Sequence, residues 1–190
     1  MYLSREAIAE IEHRFGKPEY RETRFEMGQI EFDGLRRSQK HGRSHDITLF
    51  IRKGEKFIVN AKHFYPENLY RPPSGGLEPG EDFVGGALRE AKEETGCDVR
   101  LDKYILRINV EFHNNSDSVL WTSHVFLAEY LSGELRQIDS KEIREVSLAS
   151  ISDFPRFREM MLETDRGGFH YRAFLHDEVL SLLNGDNPKI

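Results

Sequence analysis

A chain of 190 residues fits one globular domain, because chains usually divide only when a single core can no longer grow. Fractions of 38% hydrophobic and 32% charged residues exclude full disorder, and no apolar stretch reaches the roughly 18 residues that span a bilayer. Because the first residues also lack the pattern of a secretory signal, we expect a cytoplasmic protein that does not bind membranes. A formal net charge of −6 argues against a surface that neutralises many phosphates, so we expect no nucleic-acid binding.

The first 44 residues are expected to form an N-terminal extension built from a helix, a strand and a basic loop. Ser4 can cap a helix that Gly16 ends. The pattern over 25–32 favours a strand, and the basic, polar stretch over 35–44 favours a loop.

The following residues, 45–184, are expected to form one domain, with 185–190 as a C-terminal tail. Apolar alternation indicates strands, and apolar spacing of three and four indicates helices. A loop rich in proline and glycine separates the first hairpin from the central helix. The predicted elements, in chain order, are a hairpin of 45–52 and 56–61, a helix over 83–95, strands over 106–112 and 119–127, a short strand near Val146, and helices from Pro155 and over 171–183.

Three carboxylates lie close together on the predicted helix over 83–95. At about 100° per residue, Glu93 lies about 60° to one side of Glu90 and Glu94 about 40° to the other, so all three leave one face. Like charges at this spacing repel, and a divalent cation would reverse the sign of that interaction. Mg²⁺ or Mn²⁺ fits, because these ions prefer oxygen ligands, and the single cysteine, Cys97, excludes a site of several thiolates. The alternative is a solvated, charged helix face without a ligand.

Two neighbouring features fit the same cation. Arg89 lies one turn before Glu93 and can hold that carboxylate in one rotamer. Gly75 belongs to a glycine-rich loop whose backbone carbonyls can turn toward the ion. We therefore expect Arg89 to orient the carboxylates and the Gly75 carbonyl to act as a ligand.

Residues 75–97 resemble the Nudix box, G-x5-E-x7-R-E-U-x-E-E-x-G-U, in which U is a bulky aliphatic residue. A chance match at all the fixed positions is on the order of 10⁻⁶ for a chain of this length. The two U positions hold Ala91 and Cys97 instead, a small packing change that does not touch the acidic face. The resemblance implies an α+β Nudix fold, in which a mixed β-sheet is sandwiched between α-helices (α/β/α). The fixed positions are held by Gly75, Glu81, Arg89, Glu90, Glu93, Glu94 and Gly96.

The resemblance also implies an activity and a site. The expected enzyme is a Nudix pyrophosphohydrolase that uses Mg²⁺ or Mn²⁺ to cleave a phosphoanhydride bond in a nucleoside diphosphate linked to another moiety. Glu81 would be an auxiliary ligand or would support the other ligands. Relatives often draw a further acid from a loop beyond the sheet; here Glu142 is the candidate and Glu145 the reserve, with a solvated loop carboxylate as the alternative. The implied metal ligands are Glu90, Glu93 and Glu94, one of which could also receive the proton of the attacking water.

Two arginines are candidates for binding substrate phosphate. Arg71 precedes the glycine-rich loop, and its alternative role is to stabilise that loop. Arg43 belongs to the basic loop, which could close on substrate or remain solvated. Tyr65, Tyr70 and Trp121 could stack a base, although an inward Trp on an alternating strand is more often part of the core.

The sequence leaves several substrates open. An ADP-ribose-like or nucleotide-sugar-like compound is favoured, because the YRPPSGG loop resembles that of relatives acting on such compounds. The alternatives are nucleoside triphosphates in a housecleaning role, or a domain that senses a nucleotide without cleaving it. The N-terminal extension could also build a homodimer that shapes a larger site.

Overall fold

The computed structural model describes residues 3–39 and 42–185, and a mixed β-sheet with helices on both faces forms their centre. This confirms the predicted α+β class and its α/β/α arrangement. The strands are β1 (Glu19–Glu26), β2 (His45–Lys53), β3 (Lys56–Lys62), β4 (Ser74–Gly75), β5 (Cys97–Asn114), β6 (Asp117–Gly133) and β7 (Ile143–Ser150). The helices are α1 (Arg5–Phe15), α2 (Gln29–Ser38), α3 (Phe83–Thr95), α4 (Phe154–Leu162) and α5 (Gly167–Gly185).

The strand order places β2 inside the sheet. Among the described strands the order is β1-β5-β6-β2-β3-β7, and β4 also pairs with β2. The pairs β1/β5 and β2/β6 are parallel, whereas the other pairs are antiparallel. Residues 45–51 of β2 are all buried, as expected for a strand that is covered on both faces.

Two apolar cores lie on the two faces of the sheet. One core packs α1 and α3 against side chains such as Ile47 and Phe126, and the other packs α2, α4 and α5 against Phe50 and Val125. Alternation along β2 explains the division, since Ile47 and Phe50 point to opposite faces. None of the described helices is long and apolar enough to cross a membrane.

The predicted ends of α1 and α3 agree with the structure, whereas α5 begins at Gly167, before the predicted residue 171. The Ser4 hydroxyl accepts from the Ala7 N–H at 3.1 Å and begins α1. Asp82 begins α3 in the same way, accepting from the Gly85 N–H at 2.9 Å. Gly96 ends α3 with φ 73°, and a Cβ atom there would lie 2.5 Å from the Glu134 carbonyl oxygen.

The predicted strand over 25–32 is wrong, and the predicted loop over 35–44 is wrong at its beginning. The strand ends at Glu26, and α2 occupies Gln29–Ser38. Phe32 is 1% exposed and packs in the core that α2 shares with α4 and α5, whereas Ile30 is 85% exposed. Local alternation suggested a strand here, but burial of one helical face decided the structure.

The described part of the predicted N-terminal extension shares the sheet with the rest of the chain. β1 pairs with β5 from Glu19 opposite Leu106 to Glu26 opposite His113. Lys40 and His41, which belong to the predicted basic loop, lie outside the described residues, as do residues 186–190 of the predicted tail.

Candidate active site

A cleft of about 310 Å³ opens where β2, β4 and β6 meet side chains of α3 and α5. Its walls carry carboxylates, cations and one indole. Of the residues that the sequence predicts for one site, the cleft brings together Gly75, Glu90, Glu94, Glu142 and Arg43. Its other lining residues are Ser38, Asp46, Lys62, Ser74, Gly76, Trp121 and Arg172.

Glu94 is buried, with 4% of the residue exposed, and several donors hold its carboxylate. Asn60 Nδ2 and Ser74 N donate to Oε2 at 2.7 and 2.8 Å. Arg71 Nη2 donates to Oε1 at 3.1 Å. The donors are themselves fixed, because Asn60 in β3 and Arg71 exchange two backbone hydrogen bonds. The direction of the Glu94 carboxylate is therefore set by the surrounding protein.

Arg71 lies beneath the cleft and does not line it. The residue is 1% exposed, and its Nη1 also donates to the Ser74 hydroxyl and, at 3.1 Å, to the Pro72 carbonyl. A guanidinium in such a buried pair cannot reach a substrate phosphate without abandoning its carboxylate. The structure therefore does not support substrate contact by Arg71 and favours the alternative, stabilisation of the loop and of Glu94.

Glu90 packs directly over Gly75. A Cβ atom on Gly75 would lie 2.0 Å from Glu90 Cδ, so this close approach requires glycine. Burial, together with the charge of Glu94, raises the pKa of Glu90 to about 7, although Arg89 opposes the shift. Two carboxylates are thus held near each other at one end of the cleft.

Arg89 lies at the centre of an ion-pair cluster on α3. Its Nε and Nη2 donate to the two oxygens of Glu81 at 2.8 and 2.9 Å. Its Nη1 donates to Glu93 at 2.9 Å and to Glu90 at 3.0 Å, and Nη2 reaches the Gly76 carbonyl at 3.0 Å. Arg89 therefore pairs with Glu93, as the helical spacing predicts, and also ties the glycine-rich loop to the helix.

The three carboxylates predicted to share one face have different environments. Glu90 and Glu94 line the cleft. The Glu93 side chain is 46% exposed, binds Arg89 and does not line the cleft. The spacing therefore predicts the common helix, but not which of its carboxylates face the cavity.

Glu142 reaches the cleft from the loop before β7. Asp139 Oδ1 shapes this loop by accepting from the N–H groups of Lys141 and Glu142 at 3.0 and 3.2 Å. The Glu142 carboxylate pairs with Lys62 Nζ through Oε1. Glu145, the reserve candidate, does not line the cleft and pairs with its neighbour Arg144 at 2.9 Å.

Arg43 and Trp121 complete the cleft. The Arg43 side chain lies against the glycine-rich loop, because a Cβ atom on Gly76 would fall within 2.8 Å of Arg43 Cζ. Arg43 Nε is buried without a hydrogen-bond partner among the described residues. Trp121 is 8% exposed and belongs to the core on the α5 side while also lining the cleft. Tyr65 and Tyr70 do not line it.

Comparison with known families agrees with this arrangement of helix, loop and carboxylates. The profile of the NUDIX domain matches residues 40–170, more than half of the chain. The chain belongs to the NUDIX domain family. The match includes the whole of β2 to β7 together with α3, the elements that build most of the cleft.

Two curated proteins with different activities in their names are similar to this chain. An ADP-ribose pyrophosphatase of Bacillus subtilis is 32% identical over 112 residues, covering 56% of this chain and 58% of that protein. An NAD-capped RNA hydrolase, NudC, of Pectobacterium carotovorum is 26% identical over 110 residues, covering 58% of this chain and 40% of that protein. The chain thus matches less than two thirds of the length of these relatives.

A solved structure supports the fold. A NUDIX hydrolase from Nitrosomonas europaea superposes with a TM-score of 0.55 at 17% sequence identity, covering 78% of this chain and 76% of that one. At this identity the likeness concerns the fold alone.

The cleft of this NUDIX domain also contains an ion pair that the sequence analysis missed. Arg172 on α5 donates from Nη2 to Asp46 Oδ2 at 2.8 Å and to the Ser74 hydroxyl at 3.0 Å. Burial opposes ionisation of Asp46, but the charge of Arg172 and hydrogen bonds, including one from Ser123, hold its pKa below the usual value. The signal in the sequence was an acid inside the apolar strand 45–52, since a charge there requires a buried partner.

The residues of this NUDIX domain fit a divalent cation in their chemistry. Glu90, Glu94 and the Gly75 backbone supply oxygen donors close together. Burial and then the charge of Glu94 raise the pKa of Glu90, and a cation would relieve the repulsion between the two carboxylates. Within 3–39 and 42–185, no three acidic, imidazole or thiol side chains already form a group that could hold a metal ion. The donors are instead paired internally, so binding a cation requires some of these pairs to rearrange.

Proposed function

We propose that this NUDIX domain is a pyrophosphohydrolase that cleaves a nucleoside diphosphate linked to another moiety, of the ADP-ribose or nucleotide-sugar kind, with Mg²⁺ or Mn²⁺ as cofactor. The observation that carries the proposal is that Glu90 and Glu94 line the same cleft as Arg43 and Lys62. A pyrophosphate substrate needs both kinds of group, because it carries negative charge itself and is cleaved with the help of a cation.

The α3 carboxylates would hold the cation. Glu90 and Glu94 would be ligands together with the Gly75 carbonyl, Glu93 would join them by leaving Arg89, and Glu81 would support them through Arg89. A bound divalent cation supplies neutralisation of charge that develops on the phosphoryl oxygens and a lower pKa for water. Arg71 and Asn60 would keep Glu94 in place during this exchange of partners.

The cations of the cleft would bind the substrate phosphates. Arg43 has a buried Nε without a partner among the described residues, so a phosphoryl oxygen would supply the missing acceptor. Lys62 would exchange the Glu142 carboxylate for a second phosphoryl oxygen. Glu142 would then be released to accept the proton of the attacking water at its carboxylate.

The size of the cleft and one relative support the choice of substrate. A volume of about 310 Å³ is near the lower end of the roughly 300–1,000 Å³ typical of small-molecule sites, so a single nucleotide derivative is a better fit than a polymer. Trp121 supplies an aromatic surface beside Asp46. The matching protein from Bacillus subtilis is an ADP-ribose pyrophosphatase.

The experiment is a phosphate-release and product screen of the purified protein with Mg²⁺ or Mn²⁺. Substrates are ADP-ribose, nucleotide sugars, NADH, dinucleoside polyphosphates and nucleoside triphosphates, each with an EDTA control. The proposal expects EDTA-sensitive cleavage of ADP-ribose or a nucleotide sugar, with at least about 100-fold lower turnover in Glu90→Gln. The matched control is Glu159→Gln, which changes an exposed glutamate on α4 and should leave turnover unchanged.

Other outcomes would replace the proposal. Preference for triphosphates would assign the housecleaning role. Saturable nucleotide binding without turnover in any metal would assign a sensing domain. Equal turnover in wild type and Glu90→Gln would remove the assigned site.

A further inference from the structure

A second polar cavity, of about 200 Å³, lies under the beginning of α1, on the face of the sheet opposite Asp46 and Trp121. The register explains its position: His45 pairs with Thr122, and Arg107 pairs with His124, which places their side chains on one face. The polar groups that line this cavity belong to Gly42, Ser44, His45, Arg107, Thr122 and His124. We refer to it as the oxyanion pocket.

The oxyanion pocket contains an arginine, Arg107, that pairs with no carboxylate of the described residues. Arg107 is partly buried, and its Nε has no solvent contact and no hydrogen-bond partner within the described chain. No ion pair of Arg107 is present among residues 3–39 and 42–185, and none of the described lining residues is acidic. Arg71 and Arg172 differ from Arg107, because they pair with Glu94 and Asp46 at 3.1 and 2.8 Å. A buried N–H without an acceptor is costly, so an anion from outside that accepts from Nε would stabilise this site.

His124 can add a hydrogen-bond donor to the pocket. The Tyr104 hydroxyl and His124 Nδ1 form a hydrogen bond. Burial raises the pKa of the Tyr104 phenol and lowers that of His124 to about 3, so both groups are neutral near pH 7. When the phenol donates this hydrogen bond, the imidazole carries its proton on Nε2, which is then an N–H donor.

The hydroxyl groups of the pocket are not equivalent. Thr122 Oγ1 donates to Asn109 Oδ1 at 3.0 Å and is therefore committed as a donor. Ser44 has no such side-chain bond among the described residues, so its hydroxyl can donate to a ligand. The pocket thus offers a guanidinium, an imidazole N–H and a hydroxyl, a set that suits phosphate oxygen.

We propose that the oxyanion pocket binds a phosphate-type anion through Arg107, His124 and Ser44, at a site separate from the catalytic cleft. At about 200 Å³ the pocket is smaller than the roughly 300 Å³ at which organic ligand sites begin, so it takes a free phosphate or one phosphoryl group and not a whole nucleotide. This proposal does not depend on the proposed hydrolysis.

The experiment must separate the two cavities, because they lie on either side of one short segment: Arg43 and Asp46 line the cleft, whereas Gly42, Ser44 and His45 line the pocket. Binding of inorganic phosphate is measured by titration calorimetry in EDTA, so that neither metal binding nor turnover contributes. Wild type should bind saturably, and Arg107→Gln should weaken binding at least about tenfold. Arg100→Gln, which changes an exposed arginine on the same strand, should bind like wild type. Arg43→Gln removes any phosphate binding in the cleft and should leave the binding that depends on Arg107 in place.

Two further arms complete the test. In one arm, AMP replaces phosphate to show whether the pocket binds a phosphoryl group of a larger molecule or free phosphate. If Arg107→Gln lowers the affinity for AMP and for phosphate, the pocket is a general phosphoryl site. If it lowers the affinity for phosphate alone, the ligand is free phosphate. If Arg107→Gln does not fold, Arg107→Lys and the phosphate-induced shift of the His124 ring signals in NMR spectra of wild type take its place. Absence of saturable binding, or binding that survives in Arg107→Gln but is lost in Arg43→Gln, would overturn the proposal.

Discussion

The cleft and the oxyanion pocket lie on either side of residues 42–46 and differ in how their arginines are paired. At the cleft, Arg71 and Arg172 each pair with a buried carboxylate of the protein, whereas Arg43 has a buried Nε without a hydrogen-bond partner among the described residues. In the oxyanion pocket, Arg107 has no such carboxylate among the described residues. An internally paired arginine positions its carboxylate, whereas an unpaired one is available to a ligand. The comparison therefore distinguishes arginines that position a carboxylate of the protein from arginines that can bind an anionic ligand.

The largest effect on activity and stability is expected from breaking the ion pair between Glu94 and Arg71. Glu94→Gln should lower kcat more than about 100-fold and reduce the free energy of unfolding by about 3 kcal/mol, because it leaves the Arg71 charge buried without compensation. Steady-state kinetics and urea unfolding measure the two effects. Glu93→Gln is the matched control: it should keep stability within about 0.5 kcal/mol, because its side chain is 46% exposed.

A double variant distinguishes a role of Arg71 in positioning Glu94 from a general contribution to the stability of the fold. Arg71→Met combined with Glu94→Gln should recover most of the lost stability, since no buried charge then remains unpaired, while activity stays low. Strictly additive losses in the two single variants would contradict the pairing argument.

A smaller loss of stability is expected at the other paired arginine. Arg172→Met should lower the free energy of unfolding by about 2 kcal/mol at pH 7, because Asp46 keeps the hydrogen bond from Ser123 but loses its cation. The lowered pKa of Asp46 gives stability that is present above the unfolded-state pKa and lost as pH falls, so the variant and wild type should converge toward pH 3. Arg158→Met removes an exposed pair with Asp177 and should cost less than about 1 kcal/mol. A constant difference across this pH range would argue against the ion pair.

An effect of similar size, confined to acidic pH, is expected from a buried group on the same helix as Arg172. Neither ring nitrogen of His176 has a hydrogen-bond partner among the described residues, and burial lowers its pKa to about 3. Below about pH 6.5 the unfolded chain binds a proton at this histidine that the folded state does not bind. The free energy of unfolding therefore decreases as the pH is lowered, by about 2 kcal/mol from this group at pH 5. His176→Phe should reduce the loss of stability between pH 7 and pH 5, measured by thermal unfolding at each pH. His13→Gln, at an exposed position, should leave that loss unchanged.

Local features of the fold could be predicted from the sequence, and distant pairings could not. The caps of α3 at Asp82 and Gly96 depend on residues within a few positions, and so does the spacing that predicts Glu90 and Glu94 on one helix. The pair of Asp46 and Arg172 is separated by 126 positions, so no local pattern predicts it. The burial of Arg71 depends on the same kind of long-range contact.

The failed prediction at α2 has a related cause. The sequence over 25–32 alternates well enough for a strand, but the core against α5 selects a helix that buries Phe32. Tertiary packing therefore overrode a weak local preference.

The central claim, that the α3 carboxylates and the glycine-rich loop hold a divalent cation, is tested most directly by Mn²⁺ binding followed by electron paramagnetic resonance. Wild type should bind Mn²⁺ saturably, and Glu90→Gln should weaken that binding at least about tenfold while Glu159→Gln leaves it unchanged. Equal Mn²⁺ affinity in wild type and Glu90→Gln, with both proteins folded, would contradict the account.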